Sequence, residues 1–317
     1  MSYLQGPLIA DDLTELVGRT PLVRINRLVS DHGASVLAKL ESANPAASVK
    51  DRTALAIVEA AEADGRLAPG GTIIEATSGN TGIALAWIGA VKGYRVIIVM
   101  PDDVSEERRT LLRGLGAELV LTPGPLAMAG ANEEAGKILE RHPGAFLSGQ
   151  GGNAANPDVH FRTTGPEVWE STGGRIDAFV ATVGTGGTLT GAGKYLKAQN
   201  PEIRVIAVEP AEAPVLSGGE FQPHKIQGII GGNGLPPILE LDIADEIISV
   251  PQETAILTAR DALAREGLIV GISSGAALAA SQELAARAEY AGKVIVTLLA
   301  DTGERYLSTE LFDHARS

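Results

Sequence analysis

Cysteine is absent from all 317 residues, which excludes disulfides, thiolate nucleophiles and cysteine-ligated metals. The five histidines are scattered without ligand spacing, so no metal is expected. Basic charge is also short, with 26 Lys and Arg against 39 Asp and Glu and a formal charge of -13. Such a surface disfavours nucleic acids and anionic membranes, neither of which is expected as a partner. An anionic ligand would need a local site, such as the backbone amides of a helix N-terminus. No apolar run approaches a membrane span, and residues 1–7 carry neither a basic nor an apolar leader region, so the expectation is a soluble, cytoplasmic protein. Repeats and low-complexity tracts are missing too, which argues against a solenoid or a disordered interaction protein.

What is present is 44% hydrophobic sequence, enough for two medium cores. Apolar, β-rich runs alternate with helical patterns: strands at 72–77, 95–100, 118–122 and 146–148, helices at 81–91, 105–115 and 128–141. A Gly- and Asn-rich crossing over 149–157 follows. The rhythm resumes with strands at 178–183, 205–209, 246–250 and 293–300 and helices at 188–199, 254–266 and 276–288. This is βαβ order, and the nearly continuous hydrophobicity of the strands fits parallel sheets covered on both faces. The fold class is α/β, with two open, mostly parallel sheets flanked by helices. Ligands of such sheets sit beyond the carboxyl ends of the strands.

Four loops could carry chemistry. In Ser48-Val49-Lys50-Asp51-Arg52, Ser48 and Asp51 form a capping-box-like pair that puts Lys50 in the first turn of a helix. The positive helix end disfavours an ammonium there and favours a nucleophilic neutral amine, although an ordinary surface lysine fits the local sequence as well. Gly184-Thr185-Gly186-Gly187-Thr188 links a strand to a helix and suits a phosphate, or equally a tight packing turn. Thr77-Ser78-Gly79-Asn80-Thr81 has the same placement and suits a carboxylate. N-capping by Ser78 or Asn80 would explain only one of its polar residues. Gly271-Ile272-Ser273-Ser274-Gly275 reads locally as a cap before the helix at 276–288.

Taken together, Asn44-Pro45-Ala46-Ala47-Ser48-Val49-Lys50-Asp51-Arg52, Thr77-Ser78-Gly79-Asn80-Thr81-Gly82 and Gly184-Thr185-Gly186-Gly187-Thr188 resemble the cysteine synthase (O-acetylserine sulfhydrylase) family. The likeness extends from Gly18-Arg19-Thr20-Pro21 to Gly303-Glu304-Arg305-Tyr306. It implies a fold type II pyridoxal 5'-phosphate enzyme, like the tryptophan synthase β chain. The smaller domain is expected at 42–152, with a mobile substrate loop. The larger, at 1–41 and 153–317, would hold the cofactor phosphate.

By the same resemblance, Lys50 forms the Schiff base with the cofactor and later removes the α-proton. Asn80 bonds the ring hydroxyl, Ser273 faces the pyridine nitrogen, and Gly184, Thr185, Gly186, Gly187 and Thr188 hold the phosphate. Thr77, Ser78, Gly79, Thr81 and Gln150 hold the substrate carboxylate, with Gly228 at the substrate entrance. The implied reaction is β-replacement: O-acetylserine loses acetate to give aminoacrylate, and sulfide adds to give L-cysteine. The partners implied are an amino-acid substrate, a nucleophile, a second copy in a homodimer, and serine acetyltransferase. A pyridoxal phosphate-binding regulator or scaffold of serine acetyltransferase is the non-enzyme alternative.

Two segments depart from the family pattern. Gln150-Gly151-Gly152-Asn153-Ala154-Ala155-Asn156-Pro157 lacks the phenylalanine usual after the glutamine, and Gly228-Ile229-Ile230-Gly231-Gly232-Asn233-Gly234 is one residue longer than usual. Both border the substrate entrance in the family, so a nucleophile larger than sulfide, such as a thiol, a hydroxyurea-like group or another amine, is an alternative.

Overall fold

A computed structural model describes residues 9–29, 33–230 and 234–316. In chain order the elements are β1 (Leu22–Arg24), β2 (Ser35–Leu40), α1 (Lys50–Ala63), β3 (Thr72–Ala76), α2 (Asn80–Lys92), β4 (Arg95–Pro101), α3 (Glu106–Gly114), β5 (Glu118–Thr122), α4 (Ala127–Arg141) and β6 (Phe146–Leu147). There follow α5 (Ala155–Val159), α6 (Gly165–Thr172), β7 (Ala178–Thr182), α7 (Gly187–Gln199), β8 (Arg204–Pro210), β9 (Glu246–Val250), α8 (Gln252–Asp261), α9 (Ile272–Ala285) and β10 (Val294–Leu299). The chain is α/β, as expected.

It divides into two compact units. The smaller is drawn from Met1–Arg19, described from Ile9, and Ala43–Gln150; the larger from Thr20–Ser42 and Gly151–Ser317. The chain thus changes unit at 19/20, 42/43 and 150/151, and the described residues before Thr20 belong with the smaller unit rather than with the larger.

The smaller unit holds a four-stranded, all-parallel sheet in the order β5-β4-β3-β6. One face, carrying Ile74, Ile97 and Val99, packs on Ala131, Ala135 and Ile138 of α4. The larger unit holds six strands in the order β1-β2-β10-β7-β8-β9, parallel except for the antiparallel edge pair β1-β2. Alternate residues of its inner strands enter opposite cores. Ala178, Val180, Ile206 and Val208 join α8 and α9 on one side, and Phe179, Ala181, Val205 and Ala207 join α7 on the other. Burial on both faces is why these strands read as unbroken hydrophobic runs. Each buried Val, Leu or Ile here contributes roughly 1.5–3 kcal/mol.

Three helical expectations change. The helix expected at 276–288 begins at Ile272 and ends at Ala285, so Ser273 and Ser274 lie inside its first turn rather than ahead of it. The helix expected at 254–266 ends at Asp261 and finishes in a π-helical turn over Ala262–Glu266. The crossing read at 149–157 is irregular only to Ala154, after which α5, a π-helical turn over His160–Thr164 and α6 run in succession. No helix among the described residues is long and apolar enough to cross a membrane.

Candidate functional site

In the smaller unit, Lys50 is the first residue of α1 and is half-buried. The turn before it is set by Asn44, whose side-chain oxygen accepts from Gly18 N at 2.8 Å and whose carbonyl accepts from Ala47 N at 2.8 Å. Ala47 takes a left-handed conformation (φ 59°) that reverses the chain into the helix. Val49, not Ser48, is the capping residue, without a side-chain cap bond. Ser48 Oγ instead accepts from Lys50 N at 3.3 Å and donates to Asp51 at 3.2 Å, while Asp51 also accepts from Ala46 N at 2.6 Å. The expected Ser48–Asp51 pair therefore exists, but it braces the turn because the helix begins one residue late. Asp51, Arg52 and Thr53, the next three residues of α1, are buried.

Thr77-Ser78-Gly79-Asn80-Thr81 leaves the carboxyl end of β3 and opens α2. Its capping residue is Gly79 and no side chain caps the helix, so neither Ser78 nor Asn80 fills the ordinary capping role. Thr77 Oγ1 accepts from Gly79 N at 3.2 Å, and Arg108 of α3 donates to the Ser78 carbonyl at 2.8 Å. Gln150, just beyond the neighbouring strand β6, is brought to this loop: Thr81 Oγ1 donates to Gln150 Oε1 at 2.7 Å. The result is a cluster of hydroxyl and amide groups at a positive helix end, suited to a small carboxylate. Helix α1 packs against α2, so Lys50 and this loop open two neighbouring helices.

In the larger unit, Gly184 to Thr188 follows β7 and opens α7, again without a side-chain cap. A Cβ at Gly184 would lie 2.4 Å from the Gly228 carbonyl, and one at Gly187 would lie 2.0 Å from Asn156 Oδ1. A larger residue at Gly184 would collide with backbone, and one at Gly187 with the Asn156 side chain. Ile230 N donates to Val183 O at 2.9 Å, which pins the segment after Gly228 beside the loop. Gly228 itself is exposed; Gly231, Gly232 and Asn233 of the expected entrance segment lie outside the described residues. Ser273, buried in the first turn of α9, lies near the carboxyl end of β10, where Ser274 Oγ accepts from Ala300 N at 3.0 Å. Because β10 and β7 are adjacent parallel strands, the first turn of α9 and the glycine loop lie at the carboxyl ends of neighbouring strands.

Other residues at these two loops escaped the sequence reading. Asn156 Nδ2 donates to Thr185 Oγ1 at 2.9 Å, and buried His160 links Thr164 (2.8 Å) to Thr188 (3.3 Å). They back the glycine loop from the α5–α6 stretch, whose helical character was hidden. In the smaller unit Glu75 is an acid within the apolar run Thr72-Ile73-Ile74-Glu75-Ala76, a signal that the sequence did offer.

Residues 13–301 match the family model described as "Pyridoxal-phosphate dependent enzyme". A cysteine synthase of Staphylococcus aureus is 50% identical over 303 residues, covering 95% of this chain and 97% of its own. Among solved structures, an O-ureido-L-serine synthase superposes with a TM-score of 0.93 at 46% identity, covering 96% of each chain. A cysteine synthase from Entamoeba histolytica does so at 0.92 and 44%, covering 98% of this chain and 93% of its own.

Proposed function

We propose, from the premise that the chain belongs to the pyridoxal-phosphate dependent enzyme family, that it performs β-replacement on an O-activated L-serine, converting O-acetylserine and sulfide to L-cysteine and acetate. The observation that carries this is a half-buried lysine that opens α1, packed against α2, whose hydroxyl- and amide-rich entry turn has no side-chain cap. The relatives named cysteine synthase support the choice of substrates.

The residues fit the cofactor. Glycine-tight backbone and two hydroxyls at the uncapped start of α7 suit a phosphate ester, and the buried hydroxyl of Ser273 suits a ring nitrogen. Pyridoxal phosphate supplies an aldehyde that condenses with amines and a ring that draws electrons from the α-carbon. On this reading Gly184 to Thr188 hold the phosphate within the larger unit, Asn80 bonds the ring hydroxyl and Ser273 the nitrogen. Lys50 Nζ anchors the aldehyde and takes the α-proton. Thr77, Ser78, Gly79, Thr81 and Gln150 grip the substrate carboxylate, with backbone amides of the first turn of α2 contributing donors that a capping side chain would otherwise occupy.

The purified holoenzyme should show the visible absorbance of a Schiff base and form cysteine from O-acetylserine and sulfide. Lys50→Ala should lose both, and a band that survives in that variant defeats the assignment of Lys50.

The likeness to O-ureido-L-serine synthase favours a second reading, in which a bulkier, hydroxyurea-like nucleophile replaces sulfide. The positions where Cβ atoms of Gly151, Gly152 and Gly228 would sit have nothing within 4 Å, so no neighbouring atom takes the place of the side chains these positions lack. A nucleophile panel decides between the readings, with sulfide ahead of every alternative rejecting the second. If that space is used, Gly151→Phe should shift selectivity toward sulfide by roughly 10- to 200-fold.

A homodimer belongs to the same proposal, supported by the exposed apolar side chains Ile9, Leu13 and Leu16 on one short segment. So do serine acetyltransferase as a partner and a cytoplasmic location. Gel filtration with and without serine acetyltransferase, and cell fractionation, test these points.

A further inference from the structure

Glu75 is 3% exposed in the middle of β3, paired across the sheet with Ile98 of β4. Alternation along the strand turns it away from the α4 face that Ile74 occupies. No ion pair among the described residues neutralises it. Its partners all lie in the turn that follows β6. Ser148 Oγ donates to its carboxylate and Gly149 N donates at 2.8 Å, and the backbone and side chain of Gln150 also favour its charged form. Gly149, at φ +56°, bends the chain so that three consecutive residues can point at one carboxyl group. Burial pushes this carboxyl up to about 7, against the pull of these donors.

A carboxyl group buried without a cation is an unfavourable occupant for a strand centre, where an aliphatic side chain would be more stable. What the acid does there is visible in the next bond. The Gln150 side chain accepts from Thr81 Oγ1 at 2.7 Å, at the end of the turn that Glu75 holds through Ser148 and Gly149. We propose that Glu75 is a positioning residue for the amino-acid substrate: by fixing the Ser148-Gly149-Gln150 turn it presents Gln150 and Thr81 together to the substrate carboxylate. This rests on the reading of the Thr77–Thr81 loop and Gln150 as the carboxylate grip.

Glu75→Gln is the informative substitution, because it sets an NH2 group against partners that donate. The expected result is a KM for O-acetylserine raised about tenfold, the effect of roughly one displaced hydrogen bond. The KM for the nucleophile and the Schiff-base absorbance of the holoenzyme should stay unchanged, which a general loss of structure would not allow. Gln150→Ala should raise the same KM, and the double variant should be no worse than Gln150→Ala alone, since both act through one side chain. An unchanged KM for O-acetylserine in Glu75→Gln, or additive effects in the double variant, overturns the proposal. If Gln150→Ala leaves that KM unchanged, the carboxylate-grip reading itself has failed, and the role of Glu75 falls with it. Should Glu75→Gln not fold, Ser148→Ala removes one of the donors and must raise the same KM in its place; no rise there is equally fatal.

Discussion

The Glu75 carboxyl has a second consequence, for stability. Held up at about 7 by burial against an ordinary value of 4.5, it keeps a proton in the folded chain at pH values where the unfolded chain has released it. Its folded form is therefore favoured at low pH. That advantage fades as pH rises from about 4.5 to about 7 and is absent above, a change of up to ~3 kcal/mol. Glu75→Gln has no such proton to lose. Thermal melts at about pH 5 and about pH 8 should show wild type losing more stability than the variant between the two conditions; parallel changes would contradict the burial of an acid at this site. For Lys50 the place at a helix start is legible in the sequence, the role proposed for it comes from the family resemblance, and the structure adds the bracing of the preceding turn by Asn44, Ser48 and Asp51.

At the scale of elements, the helix starts do the work. Helices α2 and α7 both begin at a glycine without a side-chain cap, and α7 gains its tight entry through contact with Asn156. In Gly187→Ala the added methyl meets Asn156 Oδ1, and overpacking of this kind costs roughly 1–3 kcal/mol. Equilibrium dialysis should then show pyridoxal phosphate held about 10- to 100-fold more weakly, with Asn156→Ala in the same chain restoring part of the affinity. Unaltered affinity in Gly187→Ala would remove the phosphate role from this loop. The strands and the glycine loops were legible in the sequence because two-sided burial and strand-turn-helix order leave plain marks. The stretch from α5 to α6 was not, since Pro157, Gly165 and Pro166 read as breakers and the π-helical turn between them disturbs the 3.6-residue period. The early start of α9 was missed for a related reason. Gly275 looks like the end of a loop, yet it sits inside the helix because a Cβ there would lie 2.0 Å from the Ala255 carbonyl of α8. Glycine required by packing and glycine required by a turn look alike in one sequence.

For the whole molecule, the order of strands matters more than their composition. In the larger unit β10, the last strand made, lies between β2 and β7 and joins the β1-β2 pair to the rest of the sheet. A chain ending before Val294 should fail to unfold cooperatively in denaturant even though most of its core sequence is retained. A sharp transition with the full-length midpoint would show that the smaller unit and the remaining strands suffice. The same arrangement bears on how the protein is made. Ser35 of β2 pairs with Val294 of β10, so one edge of β2 waits for a partner roughly 260 residues downstream, on the order of tens of seconds at ribosomal speeds of about 5–20 residues per second. Until then Val36 and Ala38 sit on an open strand edge, the kind of surface that captures neighbouring nascent chains. The pace of translation, rather than the stability of the finished sheet, sets how long each new copy is exposed to aggregation.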